Sequence, residues 1–117
     1  MNFSASLTLG KVRMTKVKRG EVWIVDLGLA AKVRPCLVLS VPTSEAERSL
    51  VTVVAHTTSP RGGRFEVAVP TAFLRSGVFD AQNVVTIPDV KLIRCIGALR
   101  TEQLALLETA VRSWLGL

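Results

Sequence analysis

Arg34-Pro35-Cys36-Leu37-Val38-Leu39-Ser40-Val41 is the stretch that decides the fold. Proline cannot donate a ladder hydrogen bond, so Pro35 marks a strand entrance. Cys36 to Val41 is then almost continuously apolar, as expected of a strand covered on both faces. On its N-terminal side, Glu21-Val-Trp-Ile-Val-Asp26 is rich in β-branched and aromatic residues and reads as the preceding strand, broken at Gly28. On its C-terminal side, the polar loop Pro42–Ser49 leads to Leu50-Val-Thr-Val-Val-Ala55, a third strand. Ser59-Pro-Arg-Gly-Gly63 is a turn cluster, and Phe65-Glu-Val-Ala-Val69 alternates after it, which predicts an antiparallel meander with a hairpin at Gly62-Gly63. Pro70–Gly77 is expected to hold a helical turn. Asn83–Ile87 and a weaker Leu92–Ile96 complete the strands.

The C-terminus reads as a helix. Leu104, Leu107, Val111, Trp114 and Leu115 share one stripe at helical spacing. Thr101 is the expected N-cap, with Glu102 in the first turn, and Glu108 and Arg112 stand four residues apart as an ion pair. Strands followed by one helix predict a mainly β fold: a small SH3-like or open barrel of five to seven antiparallel strands, plugged by the helix.

The chain has 117 residues, enough for one core. Residues 1–16 read as a basic N-terminal arm and 17–117 as a single domain. Hydrophobic residues make up 49% and mean hydropathy is +0.40, yet no apolar run is long enough for a membrane helix. The apolar excess points to a subunit interface, and a homodimer is its commonest closed form. No signal-peptide pattern opens the chain, which suggests a cytoplasmic protein. Cys36 and Cys95 lie in strand-like runs and are expected as buried free thiols.

The net charge of +6 suits a polyanionic partner. Lys11, Arg13, Lys16, Lys18 and Arg19 cluster near the start, but the remainder is also basic. Phosphate-loop, metal-ligand and nucleophile-elbow patterns are all missing, so no cofactor or metal is called for. With a single histidine, His56, two-histidine chemistry within one subunit is excluded. An enzyme built on this chain must work with arginine, threonine and backbone donors.

RNA cleavage needs little more, because the 2′-hydroxyl is an internal nucleophile. Arg34, on the backbone that Pro35 restricts, could fork onto a phosphate. Thr57 could donate to the same oxygens. Each also has an ordinary reading: a surface ion pair for Arg34, turn chemistry for Thr57. Strand alternation sets His56 on the face opposite Thr57. Arg61 and Arg64 flank Gly62-Gly63 and could clamp a phosphate or simply be a solvated loop tip.

In their order and spacing, Lys18-Arg-Gly-Glu-Val-Trp23, Arg34-Pro-Cys-Leu-Val-Leu-Ser40, Val54-Ala-His-Thr-Thr58, Phe65-Glu-Val67 and Asp80-Ala-Gln-Asn-Val84 resemble the MazF/PemK toxin ribonucleases of toxin–antitoxin pairs. The resemblance runs from about residue 17 to the end. It implies a barrel-like homodimer, metal-independent and sequence-specific cleavage of single-stranded RNA, and a cognate antitoxin. It sets the catalytic arginine at Arg34 and the catalytic threonine at Thr57, with Thr58 as the fallback. Lys32, Thr58, Ser59, Arg61, Arg64 and Gln82 are the candidate substrate-binding residues. The segment Asp26–Val33 departs from the family in being short and without glutamate. A guanidinium holds its proton at neutral pH, so the arginine's role is to stabilise charge, and no general base is evident. Two other classes stay open: a toxin of this fold that poisons a protein such as gyrase, and an RNA-binding barrel without catalysis.

Overall fold

Six strands form one antiparallel sheet in the computed structural model, which describes residues 17–28, 30 and 32–117. The arm expected at 1–16 lies outside the described residues. The strands are β1 (Glu21–Asp26), β2 (Val33–Val38), β3 (Leu50–Thr57), β4 (Glu66–Val67), β5 (Val78–Pro88) and β6 (Leu92–Ala98). Their order across the sheet is β4-β5-β3-β2-β1-β6. One turn of 3-10 helix, Asp89–Lys91, links β5 to β6, and the helix α1 (Thr101–Leu115) follows. This is the mainly β architecture that the sequence predicted.

The strand expected at Cys36–Val41 is shifted: β2 starts at Val33 and ends at Val38, and Val41 is exposed, while the apolar run Cys36-Leu37-Val38 packs on both faces of the sheet. Leu37 enters a cluster with Val22, Val54, Phe79, Ala81, Leu99, Leu107 and Val111. Its neighbours Cys36 and Val38 enter a second cluster with Val25, Val51, Val53, Ala55 and Ile87. Side chains alternate along a strand, so a run apolar at successive positions supplies both. The helix covers the first cluster with Leu107 and Val111 and packs on β4 and β5.

Several local expectations change. No hairpin forms at Gly62-Gly63, because β5 lies between β3 and β4. The long β5 pairs along nearly all of β3, and the strand expected at Phe65–Val69 shrinks to two residues on the far edge of β5. Pro70–Gly77 holds turns and bends but no helix. Arg100, not Thr101, is the N-cap, and its backbone N–H donates to Gln103 Oε1 at 2.9 Å. Glu108 bonds Arg19, which the chain brings alongside the helix from the start of β1. Gly116 ends the helix at φ 73°, a left-handed conformation that suits glycine.

Only one of the two thiols is buried. Cys36 is fully enclosed, and burial pushes its thiol up to about 12 against the opposing pull of the Arg34 charge. Cys95 is exposed on β6, at the edge of the sheet. A thiol reagent at neutral pH is therefore expected to label one cysteine in the folded protein and two after unfolding. Labelling of both in the folded state, read by mass spectrometry, would contradict this placement.

Candidate active site

β2 and β3 part at one end of the sheet. β1 pairs with β2 as far as Val25↔Arg34 and Asp26↔Val33. β3 pairs with β5 as far as Thr57↔Val78. Between them, the β2–β3 ladder stops at Cys36↔Ala55, next to Pro35, whose nitrogen has no proton to donate. Continuing that register outward sets Arg34 across from Thr57. Both fall on the face of Cys36 and Ala55, while Pro35 and His56 fall on the other. The two residues that the sequence singled out thus stand at the two lips of an opening in the sheet.

A groove of about 710 Å³ lies there. Ile24, Pro35, Phe73, Leu74 and Ile96 supply apolar walls, and Lys32, Arg34, Arg75 and Arg94 supply four cations. No carboxylate side chain lines it among the described residues. Lys32 holds a left-handed φ of 57°, which bends the chain just before β2. The Cys36 thiol donates to the Arg34 carbonyl at 3.7 Å, a weak bond beneath the arginine. Thr57 Oγ1 accepts the Ser59 N–H at 3.1 Å, which leaves the hydroxyl proton available for an incoming anion. Thr58 also lines the groove.

His56 sits in the groove wall and is only 4% exposed. Its ring meets Phe79 edge-on, with centroids 5.0 Å apart and planes at 76°. Burial lowers its pKa below the usual histidine value, so the ring is neutral at pH 7. Gly77 presses against it: a Cβ there would stand 2.2 Å from the Thr57 carbonyl oxygen and 2.8 Å from His56 Cε1. The last residues of β3 are held by this close backbone approach.

Other predicted residues lie elsewhere. In the β3–β4 loop, the Arg61 and Gly62 amides donate to the Glu66 carboxylate at 2.8–3.1 Å. These bonds, the Arg61 amide first, hold Glu66 below the usual carboxylate range. The donors that could cradle a phosphate already have an anion. Arg64 stacks on Phe65 with its guanidinium 4.6 Å from the ring centre. Ser59 begins this loop. Gln82 is exposed where β5 bulges, two steps on β3 (Val54 to His56) spanning five on β5 (Val84 to Phe79). Of the predicted set, the groove gathers Lys32, Arg34 and Thr58, with Thr57 beside it. Sequence reasoning missed Arg75, Arg94 and Phe73. They belong to no motif, and only the fold carries their segments to β2.

Residues 18–115 match the family model described as PemK-like, MazF-like toxin of type II toxin–antitoxin system. The chain belongs to this family. Solved structures agree with that assignment to the PemK/MazF-like toxins. An endoribonuclease from a mycobacterial species, in complex with its cognate antitoxin, shares 27% identity at a TM-score of 0.74, over 86% of this chain and 96% of that one. The Mycobacterium tuberculosis toxin MazF-mt6 shares 32% identity at a TM-score of 0.71, over 83% and 97%. MazF of Deinococcus radiodurans, at 24% identity and a TM-score of 0.73 over 86% and 97%, has the same fold. No curated protein matches the chain. No helix among the described residues is long and apolar enough to cross a membrane.

Proposed function

We propose that this toxin is a sequence-specific endoribonuclease that cuts single-stranded RNA where β2 and β3 part. The observation that carries the reading is the groove at the Arg34–Thr57 opening, lined by four cations and, among the described residues, by no carboxylate. Structural relatives named as endoribonucleases support the reaction type. Sequence-specific recognition of RNA uses unpaired strands, whose bases can be splayed out into a groove.

In the proposed reaction the RNA 2′-oxygen attacks the adjacent phosphorus and loses its proton to solvent. The phosphorus–O5′ bond breaks, and the departing 5′-oxygen gains a proton. A 2′,3′-cyclic phosphate and a 5′-hydroxyl result. Arg34 forks onto the non-bridging oxygens as their charge grows, and Thr57 donates its hydroxyl proton to the same group. The guanidinium meets the charge without a metal. Lys32, Arg75 and Arg94 hold the flanking phosphates.

The reading extends to residues 17–117 acting as one domain in a cytoplasmic homodimer. Structural relatives occur with cognate antitoxins, and an acidic antitoxin segment would complement the +6 charge of this chain. The test is incubation of the purified toxin with a mixed single-stranded RNA in EDTA, followed by end analysis. Cyclic-phosphate and 5′-hydroxyl ends at recurring sequences are expected. Intact RNA together with gyrase inhibition would replace this function with protein poisoning. RNA bound in a salt-dependent way but left whole would leave only a binding module.

A further inference from the structure

His56 is the one buried polar residue among the described residues. It lines the groove with the apolar side chains of Ile24, Val33, Pro35, Phe73, Leu74 and Ile96, beside Thr58 and the four cations. Ligand pockets set specificity with a few fixed polar groups in mainly apolar walls, and Thr71 Oγ1, not a ring nitrogen of His56, is the enclosed side-chain polar atom without a partner among the described residues.

We propose that the groove receives one unpaired nucleobase beside the scissile phosphate, and that His56 reads its hydrogen-bonding edge. The inference rests on the ribonuclease reading above and names a specificity-determining residue within it. Small-ligand pockets are concave and mainly apolar, with a few fixed polar groups, and span roughly 300–1,000 Å³. This groove has that form at about 710 Å³. Sequence-specific recognition of single strands works by splaying a base out, packing its faces on apolar or aromatic side chains, and bonding its edge. Phe73 and Leu74 offer the packing surface, and the four cations of the lining offer sites for the phosphates on either side.

Two features suit His56 to reading. The ring packs edge-on against Phe79 and the Gly77 backbone comes close at Cε1, which restricts its movement. Held neutral by burial, it offers one donor and one acceptor, which tells a complementary edge from a mismatched one. Strand alternation also turns it away from the face of Thr57, which favours recognition over proton transfer at the reacting atoms.

The test compares wild type, His56→Leu and His56→Gln on an RNA pool randomised around a cut site, with the 5′ ends of products sequenced. His56→Leu preserves apolar packing, and thermal melting of each variant checks the fold. The expected result is a loss of base preference at one position next to the cut, on the order of ten- to a hundredfold. kcat on the best wild-type site should fall less than the preference does. His56→Gln should keep or redirect the preference, since it retains a donor and an acceptor. An unchanged preference profile in both variants would overturn the proposal. So would an equal loss of cutting at every site in folded His56→Leu. RNA left uncut by the wild type would instead defeat the ribonuclease reading, and this inference with it.

Discussion

Arg34→Ala is expected to lower the single-turnover rate of RNA cleavage by about 10²–10³-fold while leaving the fold in place. The size follows from its role. Removing one preorganised donor from a developing oxyanion costs about that much when the site is shielded from water. Arg34 meets both conditions: it is half-buried at the lip of the groove, and Pro35 stiffens its backbone. The loss should appear in kcat more than in KM, because Lys32, Arg75 and Arg94 still hold the strand. Arg34→Lys should recover only part of the rate, since an ammonium supplies the charge but not the planar fork. A labelled oligonucleotide carrying one cut site gives the measurement. An Arg34→Ala rate within tenfold of wild type would remove the arginine from the chemistry.

Phe79→Ala carries the largest expected cost in stability, about 3–5 kcal/mol. Phe79 is the largest of the fully buried side chains and lies in the cluster between sheet and helix. Its loss removes the apolar contacts and leaves a cavity that a closely packed core cannot collapse around. A small domain has a total stability of only about 5–15 kcal/mol, so much of the margin goes. Urea melts should show the lower midpoint, and the thermal midpoint should drop by more than roughly 10 °C. Phe79 is also the ring against which His56 rests, so a variant that still folds should lose base preference along with stability. A shift below about 1 kcal/mol would mean that the core is not packed as described.

The legible part of the protein was the part with local cause. The centre of β2, Cys36-Leu37-Val38, was legible because burial on both faces demands an apolar residue at each position, whereas its bounds at Val33 and Val38 were not. The helix was legible from the 3.6-residue stripe through Leu107 and Val111. Arg34 was marked by the proline that follows it, and Thr57 by its spacing from Arg34 in a family pattern. The meander was misread because turn residues say that a chain reverses, not which strand it returns to. The turn falls one step on, at Arg64-Phe65 with the Glu66 N–H donating to the Gly63 carbonyl, and the chain passes on to the edge of β5 instead of back along β3. Glu66 explains the conformation of that loop, and its reach back to the Arg61 and Gly62 amides has no sequence signature.

By itself, then, the sequence determined the class of fold, the net positive charge and the family, and it named Arg34 and Thr57 as candidates for the site. These rest on periodicity, composition and order along the chain, which short-range forces and a linear text can carry. Tertiary structure alone decided that β2 and β3 separate beside Pro35 and that Arg75 and Arg94 join Lys32 and Arg34 around the gap. It also decided that the one histidine forms part of the groove wall. Those facts depend on which strands pair and where a ladder stops. Such pairing is settled by burial summed over the whole sheet, which no local stretch of residues encodes.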